Sequence, residues 1–298
     1  EMCIRDRDGD DSDWIEIYNT TGSPISLNGW YLTDDASDLT KWQFPNQTLN
    51  GGDYLVVFAS LKNRATAGSE LHTNFKLSSG GEYLALVKPD GVSITRQYSP
   101  TFPAQVSNIS YGLYGVQLDE GFFDSPTPSA ANGSGFEGFV EDTTFTLDRG
   151  FYSTSIQVGI STLTPSTAIR YTTDGSEPSS SDGTLYAGPI DISSTTVLRA
   201  IAYRSGYRSS NIDTQTYLYT ADIKTQAEMD TDVVGVAPYS MSIEDDLKAL
   251  PALSLVLPES SMYGGSGIYS NPAGRGLAWE RAVSVEFFTA DGTEEFQY

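Results

Sequence analysis

The sequence predicts a mainly β chain: two tandem β-sandwiches followed by an incomplete α+β segment. Short stretches of alternating apolar and polar residues, separated by turn-forming residues, occupy most of the chain. Long helical periodicities are absent, which favours strands over helices. The length of 298 residues is enough for two domains or three.

The charge is strongly acidic. Seventeen basic residues oppose 39 acidic ones, a net charge of −22. This balance keeps the chain soluble and makes nucleic acid and anionic membrane surfaces poor partners. No apolar run approaches the roughly 20 residues that a membrane span requires. We therefore expect neither nucleic-acid binding nor a membrane span within this sequence.

Residues 1–7, EMCIRDR, resemble the translation of a transposase adapter used in sequencing libraries, which reads Met-Cys-Ile-Arg-Asp followed by Arg or Ser. We therefore predict that these residues are an adapter scar and not part of the natural fold. They should contact nothing and pair with no strand. The alternative is an ordinary disordered chain end. If the adapter interpretation holds, Cys3 is not natural and the chain has no thiol for a disulfide or a metal.

Residues 8–132 predict the first sandwich. In DWIEIYN, residues 13–19, Ile15 and Ile17 point to one side and Glu16 to the other. Further strand candidates follow, separated by turns such as PDG: LNGWYLTDD, WQFP, YLVVFAS, FKLSSGGEYLALVKPDG and SITRQY. Short strands with turn signals at this spacing are typical of a β-sandwich.

The same residues resemble the lamin tail domain. WIEIYN, LNGWYLTDD, the glycine pair before YLVVF, FKLSSGGEYLAL and the closing PTPSAAN occur in that family's order. The resemblance implies an immunoglobulin-like sandwich that serves as an interaction or anchoring module, without catalysis. The family's first strand, ahead of the acidic turn, is missing here. We therefore expect an incomplete sandwich at this end.

Residues 133–139 predict a linker, because the surrounding SPTPSAANGSG is rich in Pro, Ser, Ala and Gly. Residues 140–220 predict the second sandwich, with strand candidates TTFTL, SIQVGI, AIRYTTDG, TTVLRAIAY and TQTYLY. In TTVLRAIAY, alternation places Leu198, Ala200 and Ala202 on one face and Arg199 on the other.

This second segment resembles the chitobiase/β-hexosaminidase C-terminal domain. The resemblance rests on GFYSTSIQVGI, IRYTTDGSEPSSSDGTLYAGPIDI and TTVLRAIAYRSGYRSS. It implies another immunoglobulin-like sandwich, of a kind found beside glycosidases and in many other secreted proteins. It does not imply hydrolase activity.

Residues 221–298 predict a truncated α+β segment. A helix is expected over residues 242–250, starting with the capping box Ser242-Ile243-Glu244-Asp245. Half-buried strands are expected at Leu253, Leu255 and Leu257 and at Val283, Val285 and Phe287, and the turn at residues 290–293 should begin a hairpin. Only about half of the roughly 100 residues of a compact domain follow the helix, so we expect the chain to continue past Tyr298.

The end of the chain also resembles a family. GIYSNPAGRGLAWERAVSVEFFTADGTEEFQ, with Met229-Asp230 and Asp232-Val233-Val234 ahead of it, is similar to the N-terminal part of the CotH kinase family. These atypical kinases were first associated with bacterial spore coats. The resemblance covers residues 222–298 and implies phosphoryl transfer with ATP and a divalent metal farther along the chain. No catalytic, cofactor-binding or metal-binding residue of the family falls within the matched residues.

Two patterns that could carry chemistry are weak. Residues 133–138 spell G-x-G-x-x-G, but they follow a linker and precede a predicted strand, so no helix N-terminus is available for a pyrophosphate. Against a calcium-binding EF-hand loop, Asp6, Asp8 and Asp10 would take the first three ligand positions. Asp11 and Ile17 then occupy the required glycine and glutamate positions. The run from residue 8 to residue 13 is better interpreted as a solvated turn, and calcium binding stays open.

His72 is the single histidine, so a Ser–His–Asp arrangement would have to use it, and no nucleophile-elbow motif is present. A multi-histidine zinc site is excluded. Paired carboxylates for glycoside hydrolysis are not excluded by the 39 acidic residues, but small sandwiches offer no deep cleft.

The sequence thus predicts a fragment of a bacterial multidomain protein, secreted or on the cell surface. We expect it to be the non-catalytic interaction or anchoring region of a CotH-like protein kinase, with a protein or glycan partner. No site residues and no cofactor are expected in this fragment. The alternative is carbohydrate-binding or matrix-anchoring modules attached to a non-catalytic CotH-like scaffold. Sequence beyond Tyr298 would distinguish the two.

Overall fold

The computed structural model describes residues 4–227, 229–292 and 295–298. Cys3 and Thr293, which the sequence reasoning used, lie outside these ranges. The described part of the chain is mainly β, as predicted. It divides after Glu137 into two compact units.

The first unit is a sandwich of two four-stranded sheets. Their strand orders are β1-β2-β7-β8 and β10-β9-β4-β5, and β3-β6 and β11-β12 form smaller ladders. Its strands are β1 (Ile4–Arg5), β2 (Asp11–Tyr18), β3 (Ile25–Ser26), β4 (Tyr31–Thr33), β5 (Trp42–Gln43), β6 (Thr48–Leu49), β7 (Tyr54–Ala59), β8 (Leu71–His72), β9 (Leu84–Val87), β10 (Ile94–Tyr98), β11 (Ser110–Tyr114) and β12 (Asp119–Phe123).

The predicted alternation of residues 13–19 is confirmed. Ile15 lies opposite Val57 in the antiparallel β2–β7 pair, and both are buried. Side chains from both sheets meet in one apolar cluster, which contains Ile15, Leu27, Leu32, Trp42, Phe44, Leu49, Val57, Ala59, Leu71 and Phe75. Burial of such side chains is the main force holding two sheets together.

The expectation that residues 1–7 pair with no strand is wrong for the described residues 4–7. Ile4 lies opposite Ser12 and Arg5 opposite Asp11 in an antiparallel pair, and Asp6 is buried. The edge of β2 offers unpaired N–H and C=O groups, which an adjacent extended segment can satisfy.

The second unit combines the second sandwich with the α+β segment. Its sheets have the orders β15-β23-β21-β18-β19, β24-β25-β26, β13-β22, β14-β17 and β16-β20. Its strands are β13 (Gly138–Phe139), β14 (Thr144–Phe145), β15 (Gly150–Phe151), β16 (Ile156–Val158), β17 (Ile160–Ser161), β18 (Ala168–Thr172), β19 (Thr184–Leu185), β20 (Ile190–Ile192), β21 (Thr196–Tyr203), β22 (Tyr207–Arg208), β23 (Asp213–Leu218), β24 (Ala252–Val256), β25 (Ser284–Phe288) and β26 (Glu295–Gln297). Its helices are α1 (Thr220–Ile223), α2 (Thr231–Val234), α3 (Tyr239–Lys248) and α4 (Glu259–Tyr263), with a 3-10 turn at Leu277–Trp279.

The two faces of β21 are both covered. Leu198, Ala200 and Ala202 are fully buried in the sandwich core, as the alternation predicted. Arg199, on the opposite face, is also buried. The three-stranded sheet β24–β26 covers that face, where Glu286 of β25 accepts a hydrogen bond from the backbone N–H of Thr216. The α+β segment therefore packs on the second sandwich.

Two predictions for the α+β segment are wrong in detail. The helix is confirmed, but it starts at Tyr239, so Ser242 lies inside it. Ser242 donates to Asp246 one turn later instead of capping the helix. The strands β24 and β25 are confirmed as well, but the opposite face of each is buried. Leu253 and Leu255 of β24 are exposed. In β25 it is Glu286 and Phe288 that are buried, and not the predicted face of Val283, Val285 and Phe287. The hairpin of β25 and β26 is confirmed.

Candidate functional site

The acidic turn between β1 and β2 is organised by the Asp6 carboxylate. One carboxylate oxygen, Oδ1, accepts hydrogen bonds from the backbone N–H of Asp8 at 3.0 Å and of Asp10 at 2.9 Å. Gly9 donates its N–H to the carbonyl of Asp6 at 3.0 Å and takes a positive φ of 86°. Such a left-handed position favours glycine. This geometry closes the turn and points several carboxylates to one place.

Lys62, from the loop after β7, occupies that place. Its Nζ contacts Asp6 and lies 2.8 Å from Oδ2 of Asp8 and 2.9 Å from Oδ2 of Asp10. The hydrogen bond from Lys62 lowers the pKa of Asp8, with Arg64 adding to the effect. Burial opposes ionisation of Asp6, but hydrogen bonds from Lys62 and Asp10 outweigh it and lower its pKa. The turn is thus a salt-bridged loop in which a lysine supplies the cation.

His72 lies fully buried between two polar side chains. Its Nδ1 is 2.9 Å from Ser60 Oγ, and its Nε2 is 3.0 Å from Glu70 Oε1. Sequence reasoning missed this serine–histidine–acid line, although Glu70 and His72 sit two residues apart, a spacing that puts both on one side of an extended strand. The imidazole also stacks on Phe58 with ring centroids 5.2 Å apart. A general base must reach its substrate. Because His72 is buried, the Ser60–His72–Glu70 arrangement fits a structural role.

Two groups of residues have the spacing needed to hold a metal ion. The ligand atoms of Asp6, Glu70 and His72 lie within 4.8 Å of one another, as do those of Asp6, Asp8 and Asp10. Lys62 already forms ion pairs with all three carboxylates of the second group. The G-x-G-x-x-G pattern does not open a helix, since Gly138 begins β13. It therefore lacks the local structure of a dinucleotide site.

The outer face of the sheet β24–β26 is apolar and exposed. Leu253 and Leu255 of β24 are 60% and 53% exposed, and Phe296 of β26 is 50% exposed. Phe296 stacks on Phe287 of β25 with ring centroids 5.5 Å apart. The inner face carries the polar residues Ser254, Ser284 and Glu286 together with the buried apolar residues Val256 and Phe288. An apolar sheet face turned toward solvent indicates an interaction surface. We call this surface of the β24–β26 sheet the outer face of Leu253, Leu255, Phe287 and Phe296.

A second surface carries stacked aromatic rings. Tyr18 and Tyr54 lie opposite each other in β2 and β7, with ring centroids 4.5 Å apart and 18° between the planes. Tyr18 is 44% exposed. Exposed aromatic faces with a hydroxyl are suited to contact amphipathic ligands.

Comparisons with known proteins support both sandwiches. The family model of the Lamin Tail Domain matches residues 2–101, and that of the Chitobiase/beta-hexosaminidase C-terminal domain matches residues 147–216. These matches confirm the two resemblances over those ranges. The first match begins within residues 1–7 and ends before PTPSAAN. No curated protein and no solved structure matches the chain.

Both matched families are immunoglobulin-like, and such modules are typical of interaction or carbohydrate-associated proteins. Within the described part of the chain, no helix combines the length and the apolar character required to cross a membrane.

Proposed function

We propose that this chain is the non-catalytic interaction and anchoring region of a secreted or cell-surface bacterial protein related to the CotH kinases. In this proposal the two sandwiches bind a protein or glycan on the cell surface or in the matrix. Residues 221–298 form the first layer of a larger α+β domain. ATP and a divalent metal would bind to the part of that domain beyond Tyr298.

The observation that supports this proposal is the outer face of Leu253, Leu255, Phe287 and Phe296. Complete burial of a large apolar side chain stabilises a fold by roughly 1.5–3 kcal/mol, and these partly exposed side chains forgo a share of it. A three-stranded sheet that keeps large apolar side chains toward solvent on its outer face therefore favours a further covering layer. A continuing CotH-like domain would provide that layer.

The second support is electrostatic. Phosphoryl transfer requires cations or metals positioned around the phosphates of the nucleotide. With a net charge of −22, this chain repels ATP unless a metal intervenes. Nucleotide binding is therefore proposed for the continuation of the chain and not for the sandwiches.

Calorimetry with ATP and magnesium tests the proposal on two proteins: the 298-residue chain, and the same chain extended through the residues that follow Tyr298 in its gene. We expect no binding heat for the first and stoichiometric binding for the second. ATP binding by the 298-residue chain would refute the proposal. An extended chain that buries Leu255 but binds no nucleotide would favour a non-catalytic scaffold.

The stacked pair of Tyr18 and Tyr54 favours carbohydrate binding as the second candidate function. A sugar ring that packs on an exposed aromatic face gains apolar contact area. A Tyr18→Ala variant that abolishes binding to isolated cell-wall glycan, with the fold intact by circular dichroism, would support it. Unchanged glycan binding by that variant would remove the candidate.

A further inference from the structure

A cavity of about 250 Å³ lies in the second unit, where the three-stranded sheet meets the face of β21 that carries Arg199. Its walls combine polar and apolar side chains, among them Arg199, Asn211, Ile212, Val256, Val283 and Ser284. The volume suits a small organic molecule and lies below the range of typical drug-sized sites.

The guanidinium of Arg199 is buried but incompletely paired. The residue is 5% exposed. Its Nη1 donates to the carbonyl of Gly175 at 3.2 Å. Its Nη2 is 3.6 Å from Glu177 Oε1, which is longer than a hydrogen bond, and its Nε has no hydrogen-bond partner. Buried charges and buried donors are normally paired, so this arrangement requires an explanation.

The atom Nε, which lacks a hydrogen-bond partner, and the atom Nη2, which faces Glu177, form one edge of the guanidinium. Nε and Nη2 lie side by side on the planar group, and this edge can donate two parallel hydrogen bonds to a carboxylate. Ser284 Oγ, on the wall of the same cavity, is also buried without a hydrogen-bond partner. Arg199 and Ser284 therefore both line one small space, and each has a buried polar atom without a hydrogen-bond partner.

We propose that this cavity binds a small organic carboxylate, with its two oxygens on Nε and Nη2 of Arg199 and a further hydrogen bond from Ser284. The apolar walls at Ile212, Val256 and Val283 would contact the carbon skeleton, which favours an organic acid over a bare inorganic oxyanion. The net charge of −22 also disfavours dianions. This inference is independent of the kinase proposal.

Glu177 competes for the same edge. Its side chain is 58% exposed, so it can turn away into solvent when a ligand enters. Its carboxylate also repels an incoming anion. Removing the charge of Glu177 should therefore strengthen carboxylate binding, which a purely structural role of Arg199 does not predict.

NMR titration of the 298-residue chain tests the site directly through the Arg199 Nε–H resonance. Acetate and glucuronate are the carboxylate probes, inorganic phosphate is the tetrahedral oxyanion, and chloride at equal ionic strength is the control. We expect saturable shifts with acetate and glucuronate, and weaker or no shifts with phosphate and chloride. Tighter binding of glucuronate than of acetate would identify a sugar acid as the ligand class. Equal shifts with chloride, or no saturable shift with either carboxylate, would overturn the proposal.

Three variants sharpen the test, followed on the backbone amide of Ser284. Arg199→Lys keeps the charge but loses the paired donors, and it should weaken acetate binding about tenfold, equivalent to about 1.4 kcal/mol. Glu177→Gln should tighten binding. Arg204→Lys is the matched control and should leave it unchanged, because that guanidinium lies over the Tyr207 ring. If Arg199→Lys does not fold, the Glu177→Gln result decides, and unchanged or weaker binding in that variant contradicts the proposal.

Discussion

Replacing Glu286 by alanine removes the carboxylate that joins the three-stranded sheet to the second sandwich. Glu286 is fully buried and lies 3.0 Å from Arg149 Nε. It also accepts hydrogen bonds from the backbone N–H of Thr216 at 3.1 Å and from the Thr216 hydroxyl. The substitution therefore leaves a buried cation and a buried amide without their acceptor.

Removal of one partner from a buried ion pair costs about 3–5 kcal/mol, because the other charge is left uncompensated. Arg149 keeps a hydrogen bond to Gln297 Oε1 at 3.0 Å, which favours the lower part of that range. A typical domain is stable by about 5–15 kcal/mol, so Glu286→Ala should weaken the second unit severely without abolishing its fold.

Hydrogen–deuterium exchange measures this loss locally. Exchange of the β23 and β25 amides should accelerate about a hundredfold or more, while β7 in the first unit serves as an internal reference. Glu295→Ala, at an exposed position of the same sheet, is the matched control and should change stability by less than about 0.5 kcal/mol. The double variant Arg149→Met with Glu286→Leu should lose much less than the sum of the single losses, because it leaves no buried charge. Additive losses, or less than about 1 kcal/mol for Glu286→Ala, would refute the reasoning.

The contribution of Glu286 to the stability of the fold depends on pH, and the direction of this dependence follows from its pKa. Burial raises the pKa of Glu286 above its ordinary value near 4.5, against the lowering effect of Thr216 and Arg149. The folded chain therefore takes up this proton at a higher pH than the unfolded chain, and the contribution of Glu286 to stability grows as the pH falls toward 4.5. The stability difference between the wild-type chain and Glu286→Ala should widen over that interval; a difference that narrows would contradict the assignment.

Two further predictions concern carboxylates of the first unit. Lys62→Met should raise the pKa of Asp8 in a carboxyl NMR titration, because the Lys62 hydrogen bond is the largest cause of its lowered value; Lys41→Met is the control and should leave it unchanged. Asp90 accepts hydrogen bonds from the Ser93 hydroxyl and backbone, which lower its pKa to about 2. Its stabilising contribution is present above the ordinary value of 3.8 and is lost as the pH falls through about 2, so Ser93→Ala should move its titration upward toward 3.8. An unshifted midpoint would show that the hydroxyl does not hold the carboxylate.

The sequence by itself was enough to predict the strands and the two sandwich families. Alternation of apolar and polar residues is a local property of an extended chain. The residues of DWIEIYN and of TTVLRAIAY that face the core could therefore be predicted without knowing which strands lie beside them. The glycine and proline turns between strands are equally local. The helix of residues 239–248 followed from its apolar spacing, although its start lay three residues earlier than the predicted capping box.

Only the tertiary structure decided which face of the last sheet is covered. Alternation in β24 and β25 defines two faces but does not say which neighbour will meet them, and here the face that carries Glu286 was buried. Glu286 is acceptable inside because Arg149, 137 residues earlier in the chain, reaches it. The same reason explains why the ion pairs of Lys62 with the acidic turn and the cavity at Arg199 were not predicted. Each depends on partners far apart in sequence, and local periodicity contains no information about such distant pairings.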